Sequence, residues 1–241
     1  MPSDDHAHRR AATTNLALTA LVLGSGVTDV TTFLTLENVF TSAMTGNMAL
    51  LGIALSGGRW TAAAHAFAAL VGFTCGAVSG SLLYAARHPR RPGTLEAIRP
   101  LLWVEILCLG LFAIFLTMLN RPDQSVAVYG MILLSAIGMG LQGVAARHIN
   151  SPGINTIVFT STLISIVIAA TESVRRQGGA RTLSSDTKRQ MAMFLAYGLG
   201  ALIAGLLAQR LLTVDAWIPT LAVLVALGCC EATAETDRPS A

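Results

Sequence analysis

Polar positions along this chain gather into short intervals. Between them run eight apolar stretches, at roughly 13–35, 41–57, 61–86, 100–119, 126–146, 155–171, 189–210 and 215–231. Stretches of this length and apolarity predict helices whose solvent is a lipid bilayer. The second and sixth stretches differ from the rest. Only Met48 to Leu55 and Leu163 to Ala170 are solidly apolar, and eight residues at a rise of about 1.5 Å each cover about 12 Å of a hydrocarbon core roughly 30 Å thick. To cross, either would have to bury its Thr, Ser, Asn and Gly half in protein or line a wet cavity with it.

Basic residues decide how these two segments are read. If both re-enter and the N-terminus is cytoplasmic, 13 of the 16 Lys and Arg residues fall inside, and only Arg59, Arg121 and Arg210 fall outside. If all eight stretches span, the ratio drops to 10 inside against 6 outside, because Arg87, Arg90, Arg91, Arg99 and Arg147 move outside while Arg59 and Arg121 move inside. Cytoplasmic loops carry the excess of positive charge, so the pattern favours six spans and two re-entrant segments.

Composition agrees. Of 241 residues, 53% are hydrophobic and 12% charged, with a mean hydropathy of +0.62; soluble domains carry about 25% charge. An ordinary soluble enzyme, a disordered tail and a disulfide-stapled secreted domain are excluded. The net charge of +3 comes from arginines at segment ends and reports orientation, not nucleic-acid binding. Cys75, Cys108, Cys229 and Cys230 sit inside apolar runs without metal or redox spacing. No cleavage signal separates the first apolar run from the next polar cluster, so a retained first helix is expected. The layout predicted is an all-α polytopic membrane protein, with tails at 1–12 and 232–241 around one membrane domain over 13–231.

The order of elements recurs at an offset close to 115 residues. Gly26, Val27, Thr28 and Asp29 set against Gly140, Leu141, Gln142 and Gly143, and Met44 to Asn47 set against Phe159 to Thr162, suggest halves of about 13–119 and 126–231. Three spans per half would invert the second half relative to the first. Its re-entrant segment would then enter from the opposite face, a build suited to a solute or ion path.

The run Gly26-Val-Thr-Asp29, Phe33-Leu34, Val39 to Asn47 and Leu50-Leu51-Gly52 resembles the YoaK family of bacterial inner-membrane proteins, defined by a domain of unknown function. Gly138, Gly140, Gln142, Arg147, Pro152, Gly153, Thr156 and Thr160 resemble its second signature. The family often has Gln-Asn where this chain has Gln142-Gly143, and Thr-Gly where it has Thr160-Ser161. The resemblance implies about six membrane helices in a bacterial inner membrane and no settled substrate.

The candidate polar site comprises Asp29, Thr45, Gly46, Asn47, Gln142, Thr160 and Ser161. Inserting an Asp near a helix centre costs about 2.5 to 3.5 kcal/mol, so Asp29 should face the bundle interior or water. It could bind a cation, a proton or a polar solute, or it could hydrogen-bond Thr45 or Asn47 and order the turn at Glu37-Asn38. Thr45 or Asn47 could cap the helix that follows, as Thr160 and Ser161 could in the second half, and Gln142 is read as an uncharged counterpart of Asp29. Glu105, beside Trp103, and His65 are read as interfacial. Gly72, Gly76 and Gly80 form a close-packing face, for which Ala201 and Gly205 are the later equivalents.

No metal, cofactor or catalytic constellation is legible, and the chain is not expected to be an enzyme. The leading expectation is a small-solute or ion permease with a central polar site. The alternative is a non-transporting scaffold or partner protein, and an intramembrane enzyme ranks last. Glycine-lined faces permit a homo-oligomer without requiring one.

Overall fold

The computed structural model describes residues 2–87, 97–119, 125–149, 163–169, 171, 184–208 and 212–236. Among these there are eight helices and no strand. They are α1 (Pro2–Thr35), α2 (Met44–Ser56), α3 (Trp60–Arg87), α4 (Arg99–Leu119), α5 (Ser125–Ile149), the helical residues 163–169 (α6), α7 (Ser185–Leu207) and α8 (Leu212–Thr236). Six are long and apolar enough to cross a membrane: α1 from Ala11, α3, α4, α5 from Val126, α7, and α8 over Val214–Ala232. Helix α1 continues back through the expected tail as far as Pro2.

Helix α2 has 13 residues, about 20 Å at 1.5 Å each, and is too short to span. It turns at Gly57 and Gly58, the latter at φ 65°, a left-handed conformation that glycine adopts without cost, and returns as α3. Met48 and Leu51 of α2 lie beside Phe67, Leu70, Val71, Thr74 and Cys75 of α3, around an open apolar cavity of about 400 Å³. None of the candidate site residues lines it.

Neighbouring spans alternate in direction, as the buried clusters show. One gathers Leu36 and Val39 beyond α1, Ala66 and Ala69 early in α3, Phe112 and Leu116 late in α4, Met131 and Ile132 early in α5, and Ala216 early in α8. At the opposite end Ala17 and Leu21 of α1 meet Leu101, Ala145, Val223 and Leu227. Arg87, Arg99, Arg147, Lys188 and Arg189 belong to that second end, where an ion pair of 2.7 Å joins Arg99 to Glu231. Arg59 lies at the first.

Helix α1 packs on α7 and α8, while α5 packs on α3 and α4; α4 also meets α8, and α1 touches α5. Two crossings are so close that only glycine fits. A Cβ on Gly26 would run into the Tyr197 carbonyl oxygen and lie 3.0 Å from Ala201 N, and one on Gly200 would strike the Leu23 carbonyl. In α5 and α3, a Cβ on Gly140 would strike the Phe73 carbonyl and lie 2.8 Å from Ala77 N, and one on Gly76 would strike the Ile137 carbonyl. The glycine face of α3 is therefore a packing face, as its spacing predicted. In α7 the contact glycine is Gly200; Gly205, expected there, has open space around it.

Candidate functional site

Five buried polar residues, Ser25, Thr28, Asp29, Thr31 and Thr32, occupy the last third of α1. In a lipid span such groups must find partners within the protein. The four hydroxyls bond back to carbonyls one turn earlier, at 2.8 to 3.1 Å, which satisfies them without leaving the helix. Asp29 cannot do this, because a carboxylate only accepts.

Its donors come from the chain beyond α1. Helix α1 ends at Thr35, and Glu37 and Asn38 take left-handed backbone conformations at φ 58° and 61°. Such geometry costs about 1 to 3 kcal/mol per non-glycine residue and persists only where the surroundings enforce it. The enforcing contacts follow directly. Thr41 N and Ser42 N donate to Asp29 Oδ1 at 2.8 and 2.7 Å, and Ser42 Oγ and Tyr197 Oη donate to Oδ2 at 2.6 and 2.8 Å. Asn47, fully buried, reads the Phe40 main chain from both sides: its Oδ1 accepts from Phe40 N at 3.0 Å and its Nδ2 donates to Phe40 O at 2.5 Å. The Phe40 ring stacks on Phe33 at 4.8 Å, and a Cβ on Gly46 would lie 2.9 Å from that ring.

Asp29, Gly46 and Asn47 thus clamp one turn. Asp29 bonds Thr41, Ser42 and Tyr197, whereas for a structural bond, one of the roles open to it, the sequence suggests Thr45 or Asn47. Neither Thr45 nor Asn47 caps α2, whose N-cap is Ala43 with no side-chain bond; Thr45 is exposed. The reason is register: both residues lie inside the first turn of α2, past the capping position.

Gln142 belongs to a neighbouring contact. Its Nε2 donates to Leu21 O at 2.7 Å and Ser25 Oγ at 2.9 Å, one turn of α1 from Asp29, about 6 Å along the axis. Thr160 and Ser161 lie outside the described residues.

Sequence reasoning missed Ser42, Tyr197, Thr31 and Asp215. Thr31 Oγ1 donates to Asp215 Oδ2 at 2.8 Å, joining α1 to α8, and Asp215 is fully buried with Oδ1 unpartnered among the described residues. A lone Tyr in α7 and an acid at the first turn of α8 were the available signals. Two interfacial assignments are also corrected. His65 is 3% exposed and stacks obliquely on Tyr129 at 4.6 Å, and Glu105 is fully buried. Trp103 does lie on the outer surface.

Together these features define a multi-pass helical membrane protein with a buried polar track on its first span. Residues 17–229 match a family described as a protein of unknown function (DUF1275). The chain is 31% identical over 210 residues to the UPF0700 transmembrane protein YoaK of Bacillus subtilis (strain 168), covering 87% of this chain and 90% of that protein. The chain belongs to this family of transmembrane proteins. No solved structure matches it.

Proposed function

We propose that the chain is a permease for a small solute or ion in the bacterial inner membrane, with its N-terminus cytoplasmic and its halves, 13–119 and 126–231, related by inverted duplication. The observation that carries the reading is the polar track on α1, where Ser25 meets Gln142 of α5, Asp29 meets Tyr197 of α7 and Ser42 of the following turn, and Thr31 meets Asp215 of α8. Ionisable groups at this depth, here Asp29 and Asp215, are rare and mark solute, ion or proton paths by default. The duplication draws support from the matched glycine crossings. Gly26 and Gly140 differ by 114 positions, their partners Ala201 and Ala77 by 124, and each glycine meets the partner's main chain in the same way. The proposal gives the chain no enzymatic step, and Thr160 and Ser161 would serve as the second half's counterpart of the α2 turn.

A specific observation favours a second reading, the scaffold. Asp29 already holds four donors, so its present role is to latch the turn between α1 and α2 to α7. The two readings part on water access. In a variant with its four cysteines replaced, Ser42→Cys should react with an aqueous thiol reagent from the Arg59 end and Ser25→Cys from the opposite end. Inertness of both from both sides would leave the scaffold.

A further inference from the structure

We propose that Glu105 is a proton-binding site within the membrane layer, holding its proton while α4 is packed against α5 and α8 and exchanging it when that packing loosens. Glu105 has no exposed surface, and no donor among the described residues reaches Oε1 or Oε2. It lies six residues into α4, about 9 Å from the start of that helix, deep enough to be beyond the headgroups. Its face of α4 is the one that carries Cys108 and Leu109, which abut Gly138 of α5.

The contrast with Asp29 makes the argument. Both are fully buried carboxyl groups in spans, but Asp29 is met by two main-chain amides and two hydroxyls, a set suited to a charged carboxylate. Glu105 is met by none among the described residues, and an ionised carboxylate without cation or donor is far more unfavourable in an apolar interior than the neutral acid. Among the described residues no compensating charge faces it. Helix α5 carries no acid or base between Tyr129 and Arg147, α8 none between Asp215 and Cys229, and α3, which touches α4 lightly, only Cys75 between His65 and Tyr84. On α4 itself the neighbour is the thiol of Cys108. A proton is the one cation that binds a carboxyl without further ligands, so proton coupling follows. Its use in transport rests on the permease reading; the proton site does not.

The test is labelling of the full-length protein in lipid vesicles with dicyclohexylcarbodiimide, an apolar reagent that adds to protonated carboxylic acids, followed by peptide mass mapping over a range of pH. Modification should fall on Glu105 and not Asp29, decline several-fold toward alkaline pH, and be unaffected by sodium ions. The infrared carbonyl band of a neutral acid should be present in the parent and lost in Glu105→Gln. Labelling of Asp29 with Glu105 untouched, labelling of Glu105 that does not change with pH, or protection by sodium would each overturn the proposal, and the wild-type mapping stands even if the variant fails to fold. Inert cysteines at Ser25 and Ser42 would remove the permease reading and leave this site in place.

Discussion

The crossing of α1 with α7 and the crossing of α5 with α3 use the same backbone geometry and different chemistry. In each, a glycine on one helix seats against a carbonyl of the other, reciprocally: Gly26 and Gly200 in the first, Gly140 and Gly76 in the second. Three residues after the seated glycine stands Asp29 in one case and Gly143 in the other, and the ring residue opposite is Tyr197 in one and Phe73 in the other. One crossing therefore carries a carboxylate and a phenol in hydrogen-bond contact, while the other has neither group at the matching positions. Close main-chain approach is the shared frame, and the polar latch is an addition confined to one side. The frame needs no charge to hold it, so the Asp29 cluster exists for the turn it holds or for what passes beside it.

Removing the latch should have the largest effect. Asp29→Ala strips the acceptor from the buried Thr41 amide, which costs about 1 to 3 kcal/mol when left unpaired, and from the partly buried Ser42 amide, in a turn already bearing two left-handed residues. We expect a lower thermal midpoint in detergent and new protease cleavage within residues 36–43. Asp29→Asn keeps an acceptor for those amides and should lose well under half as much. Equal losses in the two variants would mean that the charge itself, and not the acceptor geometry, holds the turn.

Next in size are the frame glycines. Alanine at Gly26, Gly76, Gly140 or Gly200 drives a methyl into a carbonyl of the facing helix, and overpacking of this kind costs about 1 to 3 kcal/mol. Gly198 and Gly205 of α7 face open space, so the same substitution there should leave the midpoint unchanged or raise it slightly, alanine being the better helix former. A clear gap between losses at Gly26 and Gly140 would show that the two crossings do not share one frame.

Much of this was legible beforehand, and the failures have a common physical cause. Hydropathy and charge located the six spans and the short α2, because length against bilayer thickness is a one-dimensional constraint. Asp29 was identifiable because a carboxylate in an uncharged span must find partners. Its partners were not, since one comes from 168 residues away and two are main-chain amides that any sequence supplies. Glu105 and His65 were read from depth along their helices, which says nothing of the direction each faces; packing on α5 and α8 sets that. On α7 the sequence suggested Ala201 and Gly205; Ala201 does lie at the crossing beside Gly26, but one residue turns a helix by about 100°, and the glycine that meets α1 is Gly200, not Gly205.

A smaller effect should follow from making the two crossings alike. Tyr197→Phe leaves the ring in place and removes one donor of four, so the carboxylate keeps both amides and Ser42 Oγ. A hydrogen bond to a charged group contributes about 1.5 to 3 kcal/mol, and the remaining donors should hold the loss near the lower figure. The reverse change, Phe73→Tyr, is the smallest of the set. No carboxylate stands at Gly143 to receive the new hydroxyl, and Phe73 is only partly buried, so the added oxygen can be taken up beside the ring without displacing a packed neighbour. Thermal midpoints of the two variants should separate, with Tyr197→Phe clearly below the parent and Phe73→Tyr within error of it. If Phe73→Tyr proves the more damaging, the second crossing is the tighter of the two, and the polar latch compensates for looser packing instead of adding to an equal frame.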